Sequence, residues 1–398
     1  MNYRKPDAFA YGVVRTASWL AAKLFFRRKV LRNELRGAKG PLVVIANHQC
    51  ALDFVNLIGL TRRRMHFVIS SSFYNTLPCR GIVDALGLIP KQQFQTEPKD
   101  LKRMKAVIEA SAPLVIYPAG LMCEDGLSTP IPTATYKFLK WLDADIYVAR
   151  TTGSYFVMPK WGKGFRPGRT TLDVYKLFDR EELRATELAE IKRQADRALL
   201  FDAYREQAKL NASYLGANRL TGLENVLYQC PHCLAEYTVR TEKNAIYCTN
   251  CGYRLEGDRK GFLYNRNTFG GKLRYVSDWS AMIRSILEQK LTDAPDTLLS
   301  ARARICTLDE KRHRFAEAGF GTLTLDAHHF TIKGCLHGKD TCISVPTISL
   351  PCLPFSPGRH LELQCGSAIY RCYPEDSRLV MKFINTLRVL HSMRHPEE

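Results

Sequence analysis

Short apolar runs alternate with stretches of helical spacing through the first half of the chain. Pro41–Ala46, Met65–Ile69, Leu114–Tyr117 and Ile146–Arg150 are continuous apolar runs that predict buried strands. Between them, Cys50–Leu60, a segment leading to Gly87–Phe94, Lys99–Ser111 and Thr133–Leu142 carry the spacing of helices. This alternation predicts an α/β domain over residues 41–215, with a largely parallel sheet and flanking helices. Its polar end, residues 180–215, reads as a closing helical pair.

Residues 9–30 hold Val13, Val14, Trp19, Leu20, Leu24 and Phe25, followed by Arg27, Arg28 and Lys29. The pattern suits an amphipathic helix lying in a membrane interface, so residues 1–40 are set apart as an interfacial element. A core-packed helix has the same stripe, and both readings stand at this point. Farther on, Ser277–Leu291 predicts a helix. Residues 297–395 then break into short runs: Leu298–Cys306, His313–Ala318, Thr322–Leu325, Phe330–Lys333, Thr341–Val345, His360–Gln364 and Ala368–Tyr373. Pro374–Met393 closes them with helical spacing. Strands capped by one helix resemble a small β-barrel of the pleckstrin-homology kind.

Charge narrows the partners. The formal net charge is +19, which calls for an anionic partner such as phospholipid headgroups, nucleic acid or an acidic carrier protein. No run is long and apolar enough for a transmembrane helix, and no cleavable signal is visible. The expectation is a cytoplasmic protein, peripheral on the cytoplasmic face of a membrane, with its cysteines reduced.

The sharpest local feature is Asn47-His48-Gln49-Cys50-Ala51-Leu52-Asp53, where a buried strand gives way to a helix. Strand ends of this kind hold ligands in α/β proteins. A carboxylate reaching the imidazole would set its tautomer and let His48 take a proton from an alcohol. On spacing alone, Asp53 could equally be a residue favouring a helix N-terminus.

The chain here resembles the glycerolipid acyltransferase family, typified by lysophosphatidate (1-acylglycerol-3-phosphate) acyltransferases. His48 and Asp53 match its His-x4-Asp block. Gly87-Leu88-Ile89-Pro90-Lys91 stands where the family has Gly-x-Ile ending in a basic residue. Tyr117-Pro118-Ala119-Gly120 stands for Phe-Pro-Glu-Gly, and Ile146–Gly153 with Pro159 looks like the last block. The resemblance spans about residues 10–215. It implies His48 as general base and Asp53 as its orienting partner. Asn47 and Gly120 would position the acceptor or an oxyanion, Gly120 by its backbone amide, and Lys91 would meet a phosphate. The chain departs from the pattern at Ala119, where the family has Glu, and at Gln93, near the place of its Arg. Lys91 and Gly120 also read as a solvated loop lysine and a plain turn glycine. Arg150, Lys160, Lys163, Arg166 and Arg169, interleaved with Tyr155, Phe156 and Trp161, suggest a basic aromatic rim.

Cys230, Cys233, Cys248 and Cys251 form C-x2-C-x14-C-x2-C, the spacing of a zinc ribbon over residues 226–260. With four thiolates the zinc would be structural. Residues 234–247 are β-prone and expected to return as a hairpin. The resemblance implies an O-acyltransferase of phospholipid synthesis. It would move a fatty acyl chain from acyl-ACP or acyl-CoA to a lysophospholipid, with an anionic membrane surface and an acyl carrier protein as partners and no nucleic acid. A non-catalytic lipid-binding scaffold and a zinc-ribbon nucleic-acid-binding protein are the alternatives.

Overall fold

The structure is a computed structural model and describes residues 3–77, 80–94, 97–265, 273–295, 298–309, 311–366 and 368–395. Position 297, the expected start of the last part, lies outside them. The chain divides into two compact units: residues 1–159 with 164–216, and residues 160–163 with 217–398.

The first unit carries strands β1 Lys29–Asn33, β2 Leu42–Ala46, β3 His66–Ser70, β4 Ile89–Lys91, β5 Pro113–Ile116, β6 Asp145–Thr152 and β7 Thr171–Phe178. Its helices are α1 Ala8–Leu24, α2 Asp53–Leu57, α3 Ser71–Thr76, α4 Arg80–Ala85, α5 Pro98–Glu109, α6 Thr133–Leu142, α7 Ser154–Val157, α8 Arg180–Ala185, α9 Leu188–Leu199 and α10 Ala203–Leu210. The strands form one sheet in the order β1-β7-β6-β2-β5-β3-β4. Every pairing from β6 to β4 is parallel. β7 runs antiparallel to β6, and β1 follows β7.

Strand β2 lies inside this sheet and is buried throughout, which explains its unbroken apolar run. Val43 and Ile45 face a core with α5, α6 and α9, while Leu42, Val44 and Ala46 face a core with Tyr11 of α1 and Leu57 of α2. Helices therefore cover both faces, as the alternation predicted. β1 and β7 were not read from the sequence. β1 is an almost wholly exposed edge strand, so no buried run marks it. Its place in the sheet also ties residues 29–33 to the α/β unit, beyond the interfacial element in which they were grouped. The closing segment forms three helices, α8 to α10, where a pair was expected.

In the second unit, β8 Val239–Glu242, β9 Ala245–Cys248, β10 Arg254–Gly257 and β11 Leu263–Tyr264 form a small antiparallel sheet. Helix α11, Val276–Asp293, follows. A seven-stranded antiparallel sheet comes next, built from β12 Leu299–Asp309, β13 Arg314–Leu325, β14 His329–Leu336, β15 Lys339–Pro346, β16 Phe355–Ser356, β17 His360–Cys365 and β18 Ala368–Pro374. Its order is β15-β14-β13-β12-β18-β17-β16. Helix α12, Leu379–Arg394, packs on it, with Phe383 edge-on to Phe330. Two of the expected runs, His313–Ala318 and Thr322–Leu325, are one strand. The register slips opposite Ile305 and Cys306, where Gly319 has φ +148°. A β-bulge accounts for the break in alternation.

Candidate active site and metal centre

At the C-terminal end of β2 the chain leaves the sheet and turns before α2. Asp53 is 2% exposed, and the turn folds around its carboxylate. Oδ2 accepts from the Gln49 amide at 2.6 Å and the Cys50 amide at 2.9 Å. The Cys50 thiol lies 3.4 Å from Oδ1. The helix begins at Asp53, later than Cys50, because residues 50–52 are spent on this turn. His48 Nδ1 lies 2.9 Å from the same Oδ2. An ionised carboxylate only accepts, so Nδ1 carries the proton and Nε2 presents a lone pair. The His48 side chain is 20% exposed, enough for a substrate hydroxyl to reach it.

Beside β2, β5 ends at Ile116 and Tyr117-Pro118-Ala119-Gly120 forms a tight turn. Gly120 has φ +69°, and its amide donates to the Tyr117 carbonyl at 3.0 Å. The backbone amide expected to face a phosphate or oxyanion is therefore committed inside the turn. The turn places the Tyr117 ring against His48, with centroids 4.3 Å apart and planes inclined by 26°. Cys123 then donates its amide to the His48 carbonyl at 3.3 Å.

The other expected residues fall as follows. Asn47 is buried and clamps β6, accepting from the Thr151 amide and donating to its carbonyl, each at 2.8 Å. It fixes the strand carrying His48 and does not open to a ligand. Lys91 ends β4, half-buried, with Nζ 2.9 Å from the Gln92 carbonyl. Burial lowers its pKa, opposed by Asp100 and Glu97. Gln93 donates to the Gly120 carbonyl at 2.6 Å, so the second and third sequence blocks meet. The expected basic aromatic rim is only partly exposed: Lys163 and Arg169 reach the surface, while its aromatic residues are buried. Tyr155, Phe156 and Arg166 are buried, Arg169 donates to the Leu210 carbonyl, and Arg150 holds Glu206.

Sequence reasoning missed Tyr117 and Cys50. Tyr117 occupies an aromatic position of the third block, but the stack needs β2 and β5 to be neighbours. The thiol contact needs the turn.

In the second unit, the sulfurs of Cys230, Cys233, Cys248 and Cys251 lie within 4.8 Å of one another. Cys230 to Cys251 and Cys233 to Cys248 are each 3.7 Å. Metal–sulfur bonds of about 2.3 Å in a tetrahedron place sulfurs about 3.8 Å apart, so the cluster fits one ion. The His232 and Asn250 amides point at the Cys230 and Cys248 sulfurs at 3.4 Å, supporting them as thiolates. The intervening residues return as the expected hairpin, β8 to β9. His232 is not in the set and lies face to face with Tyr253.

Residues 13–163 match the family model described as Acyltransferase. A solved structure similar to part of the chain is the 1-acyl-sn-glycerophosphate acyltransferase PlsC of Thermotoga maritima, at 16% identity and TM-score 0.40, covering 47% of this chain and 76% of that one. Another is the Ran binding domain of Nup2 from Ashbya gossypii, at 10% identity and TM-score 0.20, covering 25% of this chain and 98% of that one. No curated protein matches the chain significantly.

Proposed function

Taking residues 13–163 as an acyltransferase-family domain, we propose that the protein transfers a fatty acyl chain from an acyl thioester to the hydroxyl of a lysophospholipid, lysophosphatidate being the first candidate. The observation that carries the reading is the His48–Asp53 pair, 2.9 Å apart at the mouth of a parallel sheet. Nε2 of His48 takes the proton as the hydroxyl oxygen attacks the thioester carbonyl. Asp53, fixed by two backbone amides, holds the imidazole and stabilises the imidazolium. The thiolate leaves and the proton returns to it, with no acyl-enzyme required. The donor is acyl-CoA or acyl-ACP.

Helix α1 supports action at an anionic membrane surface. Phe9, Val13, Leu20 and Leu24 form one exposed stripe, and Trp19 is exposed beside it. Lys23, Arg27 and Lys29 supply charge at its end. Among the described residues no helix is long and apolar enough to cross a membrane. Residence on the cytoplasmic face belongs to this proposal, as does zinc as the ion of the four-cysteine cluster. Nucleic acid has no part in it.

The second reading, a lipid-binding scaffold, draws on Ala119 and Gln93, neutral side chains where the family pattern has charged ones. The deciding experiment is acyl transfer from labelled acyl-CoA and acyl-ACP to a panel of lysophospholipids on anionic vesicles. The native protein is expected to form product, and His48→Ala to lose it by about 10²- to 10⁴-fold. Equal product from both proteins, or none from either with vesicle binding intact, favours the scaffold.

A further inference from the structure

Fixing a general base takes more than one contact. The Nδ1–Asp53 hydrogen bond anchors one corner of the imidazole but leaves the ring free to swing about the Nδ1···Oδ2 line. Such a swing would carry Nε2 away from the attacking hydroxyl. Its backbone is held by the Cys123 amide, which does not restrain the side chain. The Tyr117 ring lies on one face of the imidazole at 4.3 Å between centroids and blocks the swing toward that face.

Its own placement follows from the local sequence. A residue before proline is driven to extended backbone, so Tyr117 stays in line with β5 while Pro118 ends the strand. The turn then closes from the Gly120 amide to the Tyr117 carbonyl, and Gln93 braces it at Gly120. The ring is thus presented by the sheet itself, one strand from His48.

Resting on the general-base reading above, we propose that Tyr117 is a positioning residue for His48. Its aromatic face sets the plane of the imidazole, and hence the direction of Nε2, and attracts the ring once it becomes imidazolium. A cation over an aromatic face is stabilised by the ring quadrupole, most strongly where water is excluded. The ring performs this role and the hydroxyl does not. The Tyr117 oxygen is buried and has no hydrogen-bond partner among the described residues. Burial, with Asp53 and Cys50 adding to it, holds the phenol well above its ordinary pKa, so it stays neutral and takes no part in proton transfer. The titratable side chains identified around the His48 ring are Asp53, Cys50 and Tyr117.

The test compares the full-length native protein with Tyr117→Phe and Tyr117→Leu by steady-state transfer and by proton NMR. Tyr117→Phe keeps the face and is expected to retain kcat within about twofold. Tyr117→Leu is expected to lower kcat about tenfold with little change in KM, the size of one cation–aromatic contact. In the NMR spectrum, the low-field Nδ1–H signal of His48, assigned with His48→Ala, should be sharp in native protein and Tyr117→Phe and broadened in Tyr117→Leu. Should Tyr117→Leu fail to melt cooperatively, Tyr117→Met carries the same expectation. The proposal is overturned if the leucine variant keeps both kcat and the sharp signal, or if Tyr117→Phe loses as much as Tyr117→Leu. If the native protein turns over no substrate, the proposed function fails, while the NMR comparison still decides the stack.

Discussion

Single residues in this protein act through what surrounds them. Asp53 is buried with two backbone amides and an imidazole on one oxygen, so its charge is spent on orientation. His360, in the second unit, illustrates the opposite case. Burial, with Arg371, Arg359 and Lys160 adding to it, pushes its pKa down to about 3. Glu362 lies 3.6 Å from Nε2 but already holds Arg371, so it does not rescue the charge. The unfolded chain therefore binds a proton near pH 6.5 that the folded one refuses. Stability is full above that pH and falls as pH drops from about 6.5 toward 3, by about 1.4 kcal/mol per unit through the window. Melting of native protein and His360→Phe between pH 7 and 5 checks this, and the variant should show the shallower fall. The candidate base and its partner were legible through the family resemblance that the His-x4-Asp block and its companion blocks carry. The commitments of Asn47 and the Gly120 amide were not, because a side chain's partner across a sheet is not written in its own neighbourhood.

At the scale of elements, α1 separates what a stripe suggests from what it faces. Tyr11, Ser18 and Ala22 are its buried positions, and the larger apolar residues point outward. Its sequence allowed either an interfacial or a core helix, and only packing distinguishes them. Because the outward residues make little contact with the fold, Leu20→Glu with Leu24→Glu should weaken binding to anionic vesicles about tenfold or more while shifting the melting temperature by less than about 2 °C. Vesicle flotation beside thermal melting checks the pair of effects. A large loss of stability would mean that the stripe is packed. Buried strands such as β2 were plain from their apolar runs. The edge strand β1 was hidden because exposure leaves its residues free to be polar.

For the molecule as a whole, two compact units carry two kinds of chemistry. The four-cysteine centre should hold about one zinc per chain. A chelator, or Cys233→Ser, should release it and expose residues 226–265 to protease, because binding free energy at such a site is folding free energy. Metal released and counted against a chromophoric chelator, with the cleavage sites mapped, gives the readout. Persistence of the protected fold without metal would contradict it. By itself the sequence determined the α/β class and the four-cysteine cluster, since each rests on local periodicity or fixed spacing, while the His-x4-Asp pair was reached through the family resemblance. Tertiary structure alone decided the stack of Tyr117 on His48, the joining of Gln93 to Gly120, the burial of Tyr155, Phe156 and Trp161 and the outward face of α1. Each of these depends on which strands become neighbours and which helix face finds a partner, and those choices are made by packing over the whole chain.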